Sequence, residues 1–204
     1  AAELAGLDHV LDNVDGEMAP TVILLTGSGG VGKTALARQW SRRVADRFPD
    51  GQLWLDLRSY GPRRAMRPER ALTHFLRALG VPGEDVPTDL DGQVGLYRSV
   101  TDALRIMVVL DNAHHVDQLR PLLPSGAGSL TLVTSRRGLA PLVAVEGAHP
   151  IALDVLDPTD SRELLSRTIG RARLDAEPAA ADDIVASCAG LPLAIRIAAA
   201  RAVV

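Results

Sequence analysis

The chain has 204 residues, 47% hydrophobic and 23% charged, with 22 basic side chains against 25 acidic and a formal net charge of −3. Such a composition suits a globular chain of one domain and a fraction; it lacks the positive excess that non-specific nucleic-acid binding requires. Its longest uninterrupted apolar run, Ile106 to Leu110, falls far short of the roughly 20 residues that cross a bilayer, so no membrane partner is expected.

In chain order, Leu4, Leu7, Val10, Leu11 and Val14 recur three or four residues apart, which predicts an amphipathic first helix. Thr21–Thr26 is a continuous apolar run rich in β-branched residues, the pattern of a strand buried on both faces. A glycine-rich turn follows over Gly27–Gly32. The next predicted helix covers Thr34–Phe48, with Leu36, Trp40, Val44 and Phe48 on its apolar side and Pro49, Asp50 and Gly51 ending it. Gln52–Leu57 is the next strand. Arg58–Arg70, with arginines at 58, 63, 64, 67 and 70, reads as a loop, either a solvated connection or an anion or partner contact.

Helices are predicted over Pro68–Leu79 and from about Leu90 to Leu104. Strands are predicted over Ile106–Leu110, ending at Asp111, and over Leu130–Thr134, with a short rim strand at Ile151–Leu153. Helical patterns between strands signal parallel β-α units with helices covering both faces, an α/β fold. After Asp154 come three helical stretches, Pro158–Ile169, Pro178–Ala189 and Leu193–Val203, with no strand between them. A domain boundary is expected near Leu153.

The basic residues are 21 arginines and one lysine, Lys33. Its neighbours supply a reason. Gly27-Ser28-Gly29-Gly30-Val31-Gly32-Lys33-Thr34 fits G-x-x-x-x-G-K-[ST], with a buried strand before it and a helix after it. Glycines let several backbone N–H groups turn toward one phosphate, and the helix through Thr34 and Ala35 points its positive end at the same anion. Lys33 is the expected ligand of the β and γ phosphates, while the Thr34 hydroxyl is the expected ligand of Mg²⁺. A compact, rotatable ammonium suits that place better than a guanidinium.

The partner of such a loop is an acid at the end of an adjacent apolar strand, and Asp111 fits as a magnesium ligand. Asn112 stands where a second acid could act as general base; an asparagine side chain cannot accept the proton, so slow turnover is expected. Arg136, just beyond the strand Leu130–Thr134, is expected to contact the γ phosphate and to distinguish ATP from ADP; neighbouring Arg137 suits a surface ion pair. His114 and His115 have no third ligand at metal-binding spacing. Cys188 lies among apolar neighbours and reads as core; it cannot close an internal disulfide. With no charged-then-apolar leader opening the chain, the expected location is the reducing cytoplasm. No Gly-x-Ser-x-Gly motif supports nucleophilic hydrolysis.

With the glycine-rich loop, Val108-Val109-Leu110-Asp111, Thr134-Ser135-Arg136 and Gly190-Leu191-Pro192-Leu193-Ala194 in that order, the chain resembles the STAND class of P-loop NTPases, and within it the NB-ARC module. Phe48–Leu53, Leu122–Pro124 and Cys188–Leu193 look most like the AfsR-like regulators of the SARP type, which control antibiotic production in actinobacteria. The resemblance implies a P-loop domain over residues 1–153 and the first part of a helical, ARC-type subdomain over 154–204. It implies that the strand before the phosphate loop lies beside the strand ending at Arg136, and that Pro192 packs near the adenine or ribose. A proline opening the last helix is compatible with that role.

The same resemblance implies ATP and ADP as ligands with Mg²⁺, a closed ADP state, an open homo-oligomeric ATP state and slow regulatory hydrolysis. DNA contact would come only through a domain outside this sequence. The aromatic-x-Gly-Arg segment that usually precedes the first helix, and the winged-helix subdomain with its nucleotide-sensing histidine, are also outside it. The sequence therefore reads as the core of a longer regulator, with nucleotide affinity weakened by their loss. Two other readings stay open: a fast ATPase or kinase, which needs an acid beside Asp111, and a non-hydrolysing interaction platform that keeps its nucleotide as a structural ligand.

Overall fold

The computed structural model describes residues 2–14, 19–57 and 65–203. By their contacts the residues group into two units, 1–26 with 34–152 and 27–33 with 153–204. The stretch 58–64 of the arginine-rich connection, with Arg58, Arg63 and Arg64, lies outside the described residues.

The first unit is an α/β layer structure. Strands β1 (Thr21–Thr26), β2 (Gln52–Asp56), β3 (Met107–Ala113), β4 (Leu130–Ser135) and β5 (His149–Ala152) form one sheet in the order β2-β3-β4-β1-β5. Every pairing is parallel. The continuous apolar runs explain this: five of the six residues of β1 and all six of β4 are buried, as strands covered on both faces must be. The strand preceding the glycine loop does pair with the strand preceding Arg136, in the register Thr21↔Leu130 to Thr26↔Ser135.

Helices α1 (Ala2–Val14), α2 (Lys33–Arg43), α3 (Pro68–Ala78), α4 (Leu90–Thr101), α5 (Val116–Leu119) and α6 (Ala140–Glu146) accompany the sheet. Leu72, Phe75 and Leu76 of α3 and Tyr97 of α4 are fully buried in one core with Leu24, Val108, Leu110 and Val133. Tyr97 spends its hydroxyl on the Leu122 carbonyl at 3.2 Å, and burial pushes its phenol up. Asp8 of α1 accepts from the fully buried Trp40 indole N–H at 2.9 Å and from Arg43, tying the first helix to α2. None of the described helices is long and apolar enough to cross a membrane.

Several boundaries differ from the expectation. The helix after the glycine loop ends at Arg43 and tightens into a 3₁₀ turn over Ala45–Arg47, although Val44 and Phe48 remain buried. Helix α4 stops at Thr101, whose side chain takes the Tyr97 carbonyl, rather than at Leu104. Strand β3 runs on through Asp111 to Ala113, so Asp111 lies inside the strand rather than at its end. The rim strand begins two residues early, at His149, and closes at Ala152.

The second unit holds the glycine loop and α7 (Pro158–Ile169), α8 (Arg171–Ala176), α9 (Pro178–Ser187) and α10 (Pro192–Val203). Asp157 caps α7 by accepting from the Asp160 N–H at 2.7 Å, with Pro158 in the first turn, where its missing donor costs nothing. Leu165, Leu174, Ala181, Ile195 and Ala199 form its small core, against which half-buried Cys188 packs.

Candidate functional site

The glycine loop joins the end of β1 to the start of α2. Two of its glycines have a steric reason beyond the turn. Gly27 has φ +149°, and a Cβ there would meet the Leu153 carbonyl oxygen at 2.4 Å. Gly30 has φ +84°, and a Cβ would meet Leu193 Cβ at 2.8 Å. That second approach is bonded: the Leu193 N–H donates to the Gly30 carbonyl at 3.2 Å. Pro192, half-buried, therefore opens α10 one residue before a direct contact with the loop.

Lys33, only 8% exposed, turns its ammonium onto the loop, donating to the Gly27 and Ser28 carbonyls at 2.8 Å each. Val31 is buried, which anchors the loop's far limb. Helix α2 has no acidic residue in its first turn and carries Arg42 and Arg43 in its last. The first leaves the amino-terminal end without a like charge to repel an anion, and the second offsets the negative end of the helix dipole. Thr34 and Ala35 follow Lys33 within that first turn.

In the first unit, the Thr34 hydroxyl donates to Asp111 Oδ1 at 2.9 Å and to Oδ2 at 3.1 Å. Asp111 is buried, 3% exposed. A bulge aims it. Toward β4 the register jumps from Leu110↔Val133 to Ala113↔Ser135, so Asp111 and Asn112 together oppose Thr134. Toward β2 the pairing stays regular, with Asp56 opposite Asp111. Asn112 absorbs the extra residue with a left-handed φ of 59°, which asparagine tolerates better than other residues with a side chain. Its N–H is taken by the Thr134 hydroxyl oxygen at 3.0 Å, and Thr134 in turn donates to Asp111.

Two partners of Asp111 were not singled out in the sequence. Thr134 stands in the Thr134-Ser135-Arg136 segment, but its link to Asp111 depends on the pairing of β3 with β4, which the sequence does not give. Asp56 ends the strand Gln52–Asp56 and is reached by the Asn112 side-chain amide at 2.9 Å, the same amide lying 3.4 Å from Asp111 Oδ2. Its signal was an acid closing a strand of unknown neighbours, which only the sheet order resolves.

Hard oxygen donors suit Mg²⁺, and a hydroxyl and a carboxylate already in hydrogen-bond contact fit an ion that keeps most of its waters and takes phosphate oxygens besides. Among the described residues, no three His, Cys, Asp or Glu side chains gather as a metal cluster.

Arg136 is exposed and follows Ser135, whose strand partner is Thr26, the residue before Gly27. The Ser135 hydroxyl donates to the Ala113 carbonyl at 2.9 Å and accepts from the Arg137 N–H at 3.0 Å, fixing the turn that carries both arginines. His114 and His115 face each other, with Nδ1 and Nε2 2.7 Å apart. Desolvation, then the charges of His115 and Arg137, hold the His114 imidazole below its ordinary value.

Comparison with known proteins gives a consistent picture. The NB-ARC domain family matches residues 5–175. The chain is similar to the regulatory protein AfsR of Streptomyces griseus, 48% identical over 180 residues that cover 88% of this chain and 18% of the relative. Against AfsR of Streptomyces coelicolor it is 45% identical over 205 residues, covering 98% and 20%. It thus spans about a fifth of the length of these relatives. Among solved structures, the ORC1 protein of Aeropyrum pernix in complex with DNA gives a TM-score of 0.62 at 21% identity, covering 98% of this chain and 59% of that one. A signal transduction ATPase with numerous domains (STAND) from Pyrococcus horikoshii, with a tetratricopeptide repeat sensor, gives 0.58 at 20% identity, covering 91% and 28%. At these identities the structural likeness is one of fold.

Proposed function

This chain belongs to the NB-ARC family, and on that premise we propose that it is an adenine-nucleotide switch, the regulatory core of a transcriptional regulator like the AfsR proteins it is similar to. The observation that carries the reading is the hydrogen bond from Thr34, the residue after the chain's single lysine, to the buried carboxylate of Asp111. A glycine turn can match the motif by accident. A strand bulge that delivers an acid to the following hydroxyl is a second, independent requirement of the same chemistry.

On this proposal Lys33 leaves the loop carbonyls to neutralise the β and γ phosphates of ATP, and the backbone of Gly27–Ala35 cradles them. Thr34 and Asp111 hold Mg²⁺, which when bound neutralises phosphate charge. Arg136 reports the γ phosphate, and Pro192, beside the loop, packs near the adenine or ribose. ADP holds a closed state and ATP favours an open, self-associating one. A nucleotide can shift that balance only through its different affinity for the two states, and Arg136 supplies the difference.

Hydrolysis is slow on this reading because the Asn112 amide is committed to Asp56 and cannot take a proton from water. The same observation favours a second reading, in which the nucleotide is a structural ligand and is not turned over. Any DNA contact would belong to segments beyond the fifth of the relatives that this chain spans.

Calorimetry with ATP and ADP, with and without Mg²⁺, tests the proposal. Saturable heat with both nucleotides, tighter with magnesium, is expected; no heat with either overturns it. A single-turnover assay then separates the two readings, since ATP left intact after hours supports the structural one.

A further inference from the structure

A second cavity lies in the first unit at the edge where the strands begin, away from Asp111. It encloses about 550 Å³ between the starts of β1 and β4, the end of α4, the segment Arg120–Ser125 and α6. That volume falls within the range of small-molecule sites, roughly 300–1,000 Å³. Its floor holds Thr131, which is fully buried, and whose hydroxyl has no hydrogen-bond partner. A valine would fill the same strand position without stranding a polar atom, so the hydroxyl is an uncompensated donor and acceptor on a residue that lines the cavity, covered in this structure.

The walls are mixed in a way that selects a ligand. Val22, Leu123 and Pro124 offer apolar surface, and Val145, 67% exposed, forms an apolar rim. Arg120 and Glu146 cross one side as an ion pair at 2.7 Å, which neutralises both. Arg98 remains: its carbonyl accepts from Ser125, but among the described residues its guanidinium makes no ion pair. The lining therefore combines one guanidinium without an ion pair, apolar surface and one buried hydroxyl without a partner.

We propose that this cavity is a second ligand site, taking a small organic anion. Its carboxylate or phosphate pairs with Arg98, its apolar body lies against Val22, Leu123 and Pro124, and an oxygen reaches the Thr131 hydroxyl as the side chains covering it shift. The proposal is independent of the nucleotide reading. It has a route to that chemistry all the same, because Thr131 stands on the strand that also carries Thr134, a hydrogen-bond donor to Asp111.

The test is an NMR titration of the whole chain with 4-hydroxybenzoate, phenyl phosphate and neutral phenol, read at the Thr131 amide. Saturable shifts with at least one anion are expected, with phenol binding more weakly. Thr131→Val and Arg98→Gln are each expected to weaken the anion about tenfold, the worth of one hydrogen bond, while both melt as cooperatively as the parent. No saturable shift at Thr131 with either anion overturns the proposal, as does undiminished binding in both variants. Shifts confined to Gly30 with phenyl phosphate also overturn it, since they report the glycine loop instead.

Discussion

The side-chain amide of Asn112 donates to the carboxylate of Asp56 at 2.9 Å, so a neutral donor bridges the ends of two strands that each carry an acid. Asp56 and Asp111 are register partners, and the bridge separates charges that would otherwise face each other across the ladder. Asn112→Asp turns that bridge into a third carboxylate. We expect a loss of roughly 1–2 kcal/mol in urea unfolding, below the usual worth of a hydrogen bond to a charged group because Asp56 is exposed. Millimolar Mg²⁺ is expected to recover part of the loss. A variant as stable as the parent without the cation would show that the bridge contributes nothing.

Lys33→Ala is expected to abolish nucleotide-dependent thermal stabilisation, which for a parent at a hundred times its Kd is about 2.7 kcal/mol. Arg201→Ala, in the last turn of α10, keeps it. Asp111→Asn preserves shape while removing charge, so its effect falls on the magnesium dependence of binding more than on binding itself. Equal stabilisation of the Lys33 and Arg201 variants by ATP would refute the assignment of the loop.

Gly30→Ala meets two penalties, a φ of +84° and a Cβ placed 2.8 Å from Leu193 Cβ. We expect a cost of about 1–3 kcal/mol and weakened nucleotide binding. Leu193→Ala in the same chain does not relieve it, because alanine keeps the atom that is met. Full rescue by that second change would mean that the outer Leu193 side chain, rather than the backbone approach, sets the requirement.

Asp8 gives a pH signature. Its hydrogen bond from Arg43, then the one from Trp40, hold its carboxyl below the ordinary range. A depressed carboxylate contributes stability that is fully present above its unfolded value, about 3.9, and is lost as pH falls through the folded value. Thermal unfolding between pH 7 and pH 3 should therefore show a loss below about pH 4 that Asp8→Asn lacks. Asp8→Ala costs about 1–3 kcal/mol at neutral pH, since the buried Trp40 N–H loses its acceptor. Parallel pH profiles for the parent and Asp8→Asn would dissociate this pair from acid stability.

The long elements were legible because their patterns are long. Thr21–Thr26 is uniformly apolar, and Pro68–Ala78 repeats its apolar face over three turns, burying Ala71, Leu72, Phe75 and Leu76. Helices α5, α6 and α8 were not legible, for segments of four, seven and six residues hold too few turns to display a period. The bulge at Asp111 was hidden for another reason: nothing local requires it, and only the pairing of β3 with β4 reveals the extra residue. Of the candidate site, the pairing of the loop with Asp111, which the Thr34 hydroxyl meets, was readable from spacing. Thr134 and Asp56 were not, because their relevance depends on which strands are neighbours. The contact of Leu193 with Gly30 joins residues far apart in sequence, and no periodicity carries such information.

Because Lys33 is the chain's single lysine and is only 8% exposed, the protein offers one side-chain primary amine to an acylating reagent. Mass spectrometry of the peptide that carries Lys33, which separates it from any adduct on the chain's α-amine, can follow that address without a crystal or an isotope label. The lysine of the glycine loop thus comes with its own built-in chemical reporter.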